Sequence, residues 1–435
     1  MSDQADEKTR IVITGLGVVC SAGRTVDQFW QSLTLEQSQT LNAPGRCETR
    51  DVTPSTEAVF SGDIKDFGDL PNVKRRSIRK ALKLMNRETQ MGVAAGEQAL
   101  SDSGAVPQYD PNRFGVCFGA NNVSVMPEDF QHGIQACSSA DGSFEFERWG
   151  ADGIEQMAPM WLLKCLPNMP ACHLAIINDL RGPSNTIAQR DVSANIAIAE
   201  ACRGIRAGEA DAMLVGATGT TLTPFNHLHA QLEDDVLDMD AICRPFDKRR
   251  AGAAPGEGAG AVVLEQLPIA VHRGAHIYGE ILGTGSASFI GTDSQANCQK
   301  AVAAAMRQVL PRAARTPNEI GHIHAHGLGT QRSDIAEAQA IRQIFGDENA
   351  LTPVVAAKSH LGNAAAGAGA LELIASLLAM QSGHLFPVLN YEVPDPACPV
   401  QPVVDCEEPA GTSFLNLNVF RRGLASCVAV GKCAA

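Results

Sequence analysis

The residues best suited by type and spacing to do chemistry lie in the second half of the chain. His326-Gly-Leu-Gly-Thr330 closes an apolar run, Ile320-Gly-His-Ile-His-Ala325. A histidine followed by small, permissive residues exposes its imidazole on a bent loop, where it can move protons or hold a ligand. His322, His324 and His326 alternate, so on a strand they share one face with successive Cα atoms roughly 6–7 Å apart. A metal would need a cysteine or carboxylate arranged around them, and the spacing supplies none. Arg244-Pro-Phe-Asp-Lys248, followed by Gly256-Glu-Gly-Ala-Gly260, joins a proline-fixed turn and a charged pair to a glycine-dense strand entry. That combination suits a backbone packed closely against its surroundings. Gly15-Leu-Gly17 is a fragment of a dinucleotide fingerprint, without the third glycine or a good acidic partner, and a tight strand-to-loop turn explains it better.

These residues need a scaffold, and the pattern supplies an alternating one. Arg10-Ile-Val-Ile-Thr-Gly-Leu-Gly-Val-Val reads as a buried strand, as do Phe114–Gly119 and Ala212–Gly216. Between them, helical patterns cover Val26 to Leu33, Lys74 through Leu100, and about Val192 to Ala207. Gly104 stands where a glycine commonly ends a helix. Residues from about Asn42 to Asn72 read as loop-rich, and Asn121 to Met160 as irregular and polar. Further on, Val354–Ala357, the Ala/Gly/Leu-rich helix Ala364–Met380 and the runs Ser413–Val419 and Ser426–Val430 repeat the style. Alternating strands and helices predict an α/β fold with parallel strands covered on both faces.

Composition narrows the class. In 435 residues, 45% are hydrophobic and 19% charged, the balance of a globular protein with room for one large domain or two packed ones. The net charge of −13 argues against nucleic acid and against an anionic membrane surface, both of which call for a basic face. No run of about 18 apolar residues suggests a membrane span, and the charged start MSDQADEKTR is no secretory signal. The 13 cysteines are scattered without C-x-x-C pairs, as expected of buried thiols in a reducing, cytoplasmic setting.

Taken together in order and spacing, these segments resemble the β-ketoacyl-acyl-carrier-protein synthases of the elongating type. The likeness covers nearly the whole chain. It rests on Arg10–Gly17, Leu166-Pro-Asn-Met169, Gly182-Pro183, Ile205-Arg-Ala-Gly-Glu-Ala-Asp211, Arg244–Lys248, Gly256–Gly260, His326–Thr330 with Asp334 and Glu337, Lys358-Ser359 and Pro387-Val-Leu-Asn390. The resemblance implies the thiolase fold, five layers α-β-α-β-α built from two similar halves, 1–265 and 266–435, commonly as a dimer. It implies no metal and no cofactor. Expected partners are an acyl carrier protein or acyl thioester and a second synthase subunit, as a homodimer or a heterodimer. The Lys74–Lys80 cluster could meet an acidic carrier, although a solvated basic helix face is the commoner meaning of such a run.

In that family a cysteine at a helix N-terminus takes the acyl chain as a thioester, and two histidines handle the malonyl donor. Aligned on Gly182-Pro183, the nucleophile position holds Asp191, preceded by Gln189 and Arg190. The first histidine is His326 and the lysine is Lys358, but the second histidine position holds Asn363. The glycine-rich loop near the C-terminus reads Val419-Phe420-Arg421-Arg422, so Phe420, Arg421, Arg422 and Thr330 are the implied substrate-side residues. A carboxylate is a poor acyl acceptor from a thioester, and asparagine cannot do the acid–base work of histidine. The expectation is a non-condensing, chain-length-factor-like subunit. The alternatives are a malonyl-thioester decarboxylase or atypical acyltransferase using His326, with His360 as a substitute for the lost histidine, and a binding scaffold without chemistry. Asp191 is expected to cap its helix, or to pair with Arg190, Arg421 or Arg422 and plug the vacated cavity.

Overall fold

Strand β1 (Ile11–Cys20) is buried along its whole length, because sheet neighbours flank it and helices cover it. Gly15 and Gly17 are not at a turn; they lie inside this strand. A Cβ on Gly15 would stand 2.3 Å from the Ala99 carbonyl oxygen, and one on Gly17 would stand 2.0 Å from that of Ala95. The glycines let the helix Arg87–Ser103 lie directly on the strand. The computed structural model describes residues 10–38, 57–123, 125–234, 242–291, 297–346 and 352–433; within the segment read as loop-rich, residues 42–56 lie outside these.

The remaining strands are β2 (Phe114–Gly119), β3 (Ser184–Ile187), β4 (Ala212–Thr220), β5 (Glu257–Gln266), β6 (Gly279–Ser288), β7 (His322–His324), β8 (Pro353–Val355), β9 (Gln401–Pro402), β10 (Ser413–Phe420) and β11 (Leu424–Gly431). They run in the order β3-β2-β4-β5-β1-β6-β11-β10-β7-β8-β9. The order hides a repeat. In the first half β5 lies antiparallel between β1 and β4, and β4, β2 and β3 then run parallel. In the second half β6, β11 and β10 repeat the antiparallel part, and β10, β7 and β8 the parallel part. Only Val12 and Ile13 pair across the join, with Glu280 and Gly279.

Alternation along the strands sorts side chains into layers. Met213, Val215, Val262 and Leu264 face a central cluster shared with Phe414, Val428 and Val430 of the other half, filled by the helices Ser193–Arg206 and Ala368–Ser382. Leu214 and Val263 face outward onto Arg87–Ser103 and Met169–Asn178. Leu415 and Leu417 do the same onto Cys298–Arg312 and Gln331–Phe345. The result is the thiolase fold, five layers with two helices in the middle. Each fully buried Leu, Val or Phe contributes about 1.5–3 kcal/mol.

Several local readings need correction. The helical pattern from Lys74 to Leu100 is two helices, Asn72–Ala81 and Arg87–Ser103, parted because the Asn86 side chain accepts a hydrogen bond from the Thr89 N–H and starts a new one. Gly104 does end the second, at φ 60°. The stretch Asn121–Met160 contains a helix, Pro127–Ala136, whose first turn is held by Asp129 accepting from the Met126 N–H. Phe130 packs on Trp149 and Trp161 beneath it. Ala365–Ser382 has the length and hydropathy of a membrane span, yet 83% of it is buried inside the fold as core.

Candidate active site

The parallel ends of the two halves bring their loops together. Asp191 follows β3, His326 follows β7 and Lys358 follows β8, so equivalent strand ends of the repeat supply the centre. Asp191 sits in a short turn, Arg190–Val192, that leads into the helix Ser193–Arg206. It is 4% exposed, and its Oδ1 has no hydrogen-bond partner.

Asp191 therefore does not do what its helix-end position suggested. The helix N-cap is Val192, with no side-chain cap, and the hydroxyl that serves this turn belongs to Ser193, which accepts from the Gln189 N–H at 2.8 Å. Asp191 forms no ion pair with a described residue. Arg190, at φ 52°, turns away: its guanidinium lies 3.3 Å from His229 Nδ1 and 5.7 Å from the Phe420 ring centroid. Arg421 and Arg422 stand exposed in the turn between β10 and β11, so they do not plug the interior. Long cations stay solvated where a hairpin turn lets them reach water.

The histidine loop is wired throughout. Gly327 and Gly329 take φ 48° and 81°, which bends the chain after β7. Glu337 accepts from the His326 and Gly327 N–H groups at 2.6 and 2.9 Å, and Asp334 accepts from Gly329 and Phe246 at 3.0 and 2.9 Å. Burial pushes Asp334 up to about 6 and Glu337 up to about 8, against those hydrogen bonds. Thr330 caps the helix Gln331–Phe345, accepting from the Ser333 N–H.

Lys358 is 2% exposed and has three acceptors for its three N–H bonds: His326 Nδ1 at 3.1 Å, the His326 carbonyl at 2.9 Å, and Glu372. Burial, and then the Lys358 charge, hold His326 well below the usual histidine range, so the ring is neutral. With Nδ1 accepting from Lys358, the ring proton is assigned to Nε2. His326 is then a hydrogen-bond donor toward the centre rather than a base. Glu372 also accepts from Asn418 Nδ2 at 2.6 Å. Burial pushes Glu372 above the usual carboxylate range, and the charge of Asp191 adds to the rise, which places the two carboxylates in one electrostatic neighbourhood.

Asn363 is 4% exposed and spends its side chain on its own loop, Oδ1 accepting from the Ala365 N–H at 3.0 Å. His360 does not replace the lost histidine. Its Nε2 meets the Pro387 carbonyl at 2.8 Å and its ring packs edge-on against Phe386. His322 and His324 are likewise engaged, with the Ala410 carbonyl and the Ser376 hydroxyl. The described cysteines are free thiols. Burial pushes Cys117, Cys202 and Cys243 up to about 12, far from the thiolate that thioester chemistry needs.

The close-packed glycine reading holds: Cβ atoms on Gly256 and Gly260 would stand 2.6 Å from the Leu361 carbonyl oxygen and 2.9 Å from the backbone and side chain of Ala370. Sequence reasoning missed Glu372, Asn418, and Glu88 with Asn121, which links the end of β2 to Ala366. A lone acid inside the apolar helix Ala368–Ser382 was the available signal for Glu372.

Loops from two repeated α/β halves that meet at a buried His–Lys–Glu chain define a protein of the ketoacyl-synthase class. The chain belongs to the β-ketoacyl synthase family: the models described as Beta-ketoacyl synthase, N-terminal domain and C-terminal domain match residues 8–270 and 278–392. It is 30% identical over 424 residues to the 3-oxoacyl-[acyl-carrier-protein] synthase 2 of Vibrio harveyi, covering 96% of each chain. It is 31% identical over 400 residues to the tetracenomycin polyketide synthase ketoacyl synthase alpha subunit of Streptomyces glaucescens, covering 89% of each. Among solved structures, the ishigamide ketosynthase/chain length factor superposes with a TM-score of 0.76 at 27% identity, covering 98% of this chain and 99% of that one.

Proposed function

We propose that this chain is a non-condensing, chain-length-factor-like subunit of fatty acid or polyketide synthesis that pairs with an active ketoacyl synthase. The observation that carries the reading is the buried carboxylate of Asp191, its Oδ1 without a hydrogen-bond partner, where the family keeps its thiol. No acyl thioester can form stably there, and Asn363 supplies no second imidazole. The supporting framework is intact, which fits a subunit kept for its shape. Similarity to the ishigamide ketosynthase/chain length factor supports the same reading.

Two surfaces favour a partner subunit. Strand β3 ends the sheet with Ser184 and Asn185 exposed, and an open edge offers unpaired backbone groups to another chain. Phe144, Phe146, Ile154 and Leu162 leave apolar side chains 47–73% exposed. Arg76, Arg79 and Lys80 lie exposed on the helix Asn72–Ala81, a basic face suited to an acidic acyl carrier protein.

A malonyl-thioester decarboxylase is the second reading, because the Nε2–H of His326 could receive an enolate oxygen. Asp191 argues against it. A malonyl carboxylate would sit in a centre holding two acids, Asp191 and Glu372, and one lysine, Lys358. With malonyl- and acyl-loaded carrier protein, the purified chain should form no β-ketoacyl product; product at a normal synthase rate sinks the proposal. Coexpression with a cysteine-bearing synthase should yield a stable heterodimer by size exclusion. A homodimer indifferent to that synthase would count equally against it.

A further inference from the structure

A cavity lies at the far end of the sheet from Asp191. It has a volume of about 690 Å³ and opens between the helix Leu267–His272, the start of β6, the end of the helix Ala368–Ser382 and the chain after β11. The strand register fixes its remoteness. Ile11 pairs with Gln266 and Ala212 with Glu265 at this end, whereas the carbonyl of Thr220, at the other end of β4, accepts from Asn121 beside the centre. Eight residue steps along β4 separate the two ends by roughly 26 Å.

The wall of the cavity is apolar and its rim is basic. Leu267, Val271, Ile277 and Met380 form the wall, continuing a small core cluster that includes Val12 and Ala270. Arg10, His276 and Lys432 stand at the rim, and no acidic side chain lines the cavity among the described residues. Arg10 is already matched, with Nε and Nη2 on the two oxygens of Glu280 at 2.8 and 2.7 Å. Lys432 is exposed and forms no ion pair with a described residue, on a chain whose net charge is −13.

We infer that this cavity binds a single-chain amphiphile with a carboxylate head, the chain lying on Leu267, Val271 and Ile277 and the head at Lys432. Size, apolar wall and one uncompensated cation match that chemistry and are ordinary for a small-molecule site. A bilayer surface is disfavoured, because the site is concave and the protein as a whole is acidic. This inference does not rest on the proposed function.

The probe is cis-parinaric acid, a fluorescent long-chain carboxylate, titrated into the full chain with its methyl ester and phosphatidylglycerol vesicles in parallel. The acid should bind saturably. Lys432→Glu should weaken it about tenfold, and Val271→Glu, at a position 60% exposed and so safe for folding, should weaken it at least as much. The methyl ester should bind about as weakly as the acid binds Lys432→Glu. Binding unchanged in both variants would place the acid elsewhere and overturn the inference. So would equal binding of the ester, binding to vesicles without uptake of the monomeric acid, or no saturable binding.

Discussion

The two halves of this molecule repeat one topology and treat the same position in opposite ways. After β8, Lys358 is wired completely, with all three N–H bonds accepted and its charge answered by Glu372. After β3, Asp191 is buried to a similar degree, yet one carboxylate oxygen has nothing to accept from. A buried group held on every side is doing structural work, and its removal leaves a charge stranded. A buried group left unmatched persists for another reason, or because nothing now selects against it. The contrast separates a group that the fold holds on every side from one that it leaves unmatched.

The strongest way to break the contrast is to cut the wired side. Lys358→Met strands the Glu372 carboxylate in the core and should cost about 3–5 kcal/mol in urea unfolding. A loss below about 1 kcal/mol would mean that the pair is not the support it looks like.

Acid should find the second half next. His322 and His360 are held down to about 4 from the usual 6.5 by burial, and burial also holds His324 and His326 well below it. A depressed histidine contributes stability that is present above 6.5 and lost as pH falls toward its folded value. Asp334 and Glu337, raised to about 6 and about 8, act oppositely, losing their contribution as pH rises. Glu372, also raised by burial, acts with these two acids, and His173, also lowered by burial, joins the four histidines. Five histidines outnumber three acids, so calorimetry should show Tm falling between pH 6.5 and 4. Asp247 yields only lower: burial opposes its charge, but Arg249 and three backbone N–H groups bring it to about 2. A Tm flat to pH 4 would mean that the histidines are charged in the fold.

Much of the scaffold was legible because its signals are local. The apolar strands and Gly104 follow from residue type over a few positions, and the bent loop at His326 follows from its two glycines. Gly15 and Gly17 were misread because only a helix arriving from residues 87–103 shows why a side chain is intolerable there. The single helix read through Leu82 to Asn86 hid a cap that was present in the sequence. At the centre, Asp191, Asn363 and His326 could be named through the resemblance to the synthase family, whose motifs they align with. Their relations could not: that Lys358 takes Nδ1, that His360 faces Pro387, and that Arg421 and Arg422 stay outside are consequences of packing between segments far apart in the chain.

The unmatched side should respond with the opposite sign. Asp191→Asn removes a carboxylate that lacks a partner at Oδ1 and offers an amide in its place. It should be neutral or stabilise the fold by about 1 kcal/mol, measured by the same urea titration. Destabilisation beyond that would show a partner supplied in solution, and the contrast between the halves would shrink.

The smallest effect sharpens where the contrast ends. Arg421→Gly with Arg422→Gly restores the family's small residues in an exposed turn and should change stability by no more than about 0.5 kcal/mol. Should the arginines be what excludes acyl thioesters, the double variant would gain carrier-protein-dependent product even with Asp191 in place. It should gain none, because Asp191 still stands at the nucleophile position and no change at the β10–β11 turn supplies a thiol there. Product in this variant, measured beside the unaltered chain, would move the block from the centre to the surface. Absence of product, with unfolding unchanged, would support the proposal that Asp191 and Asn363, and not the entrance, prevent condensation.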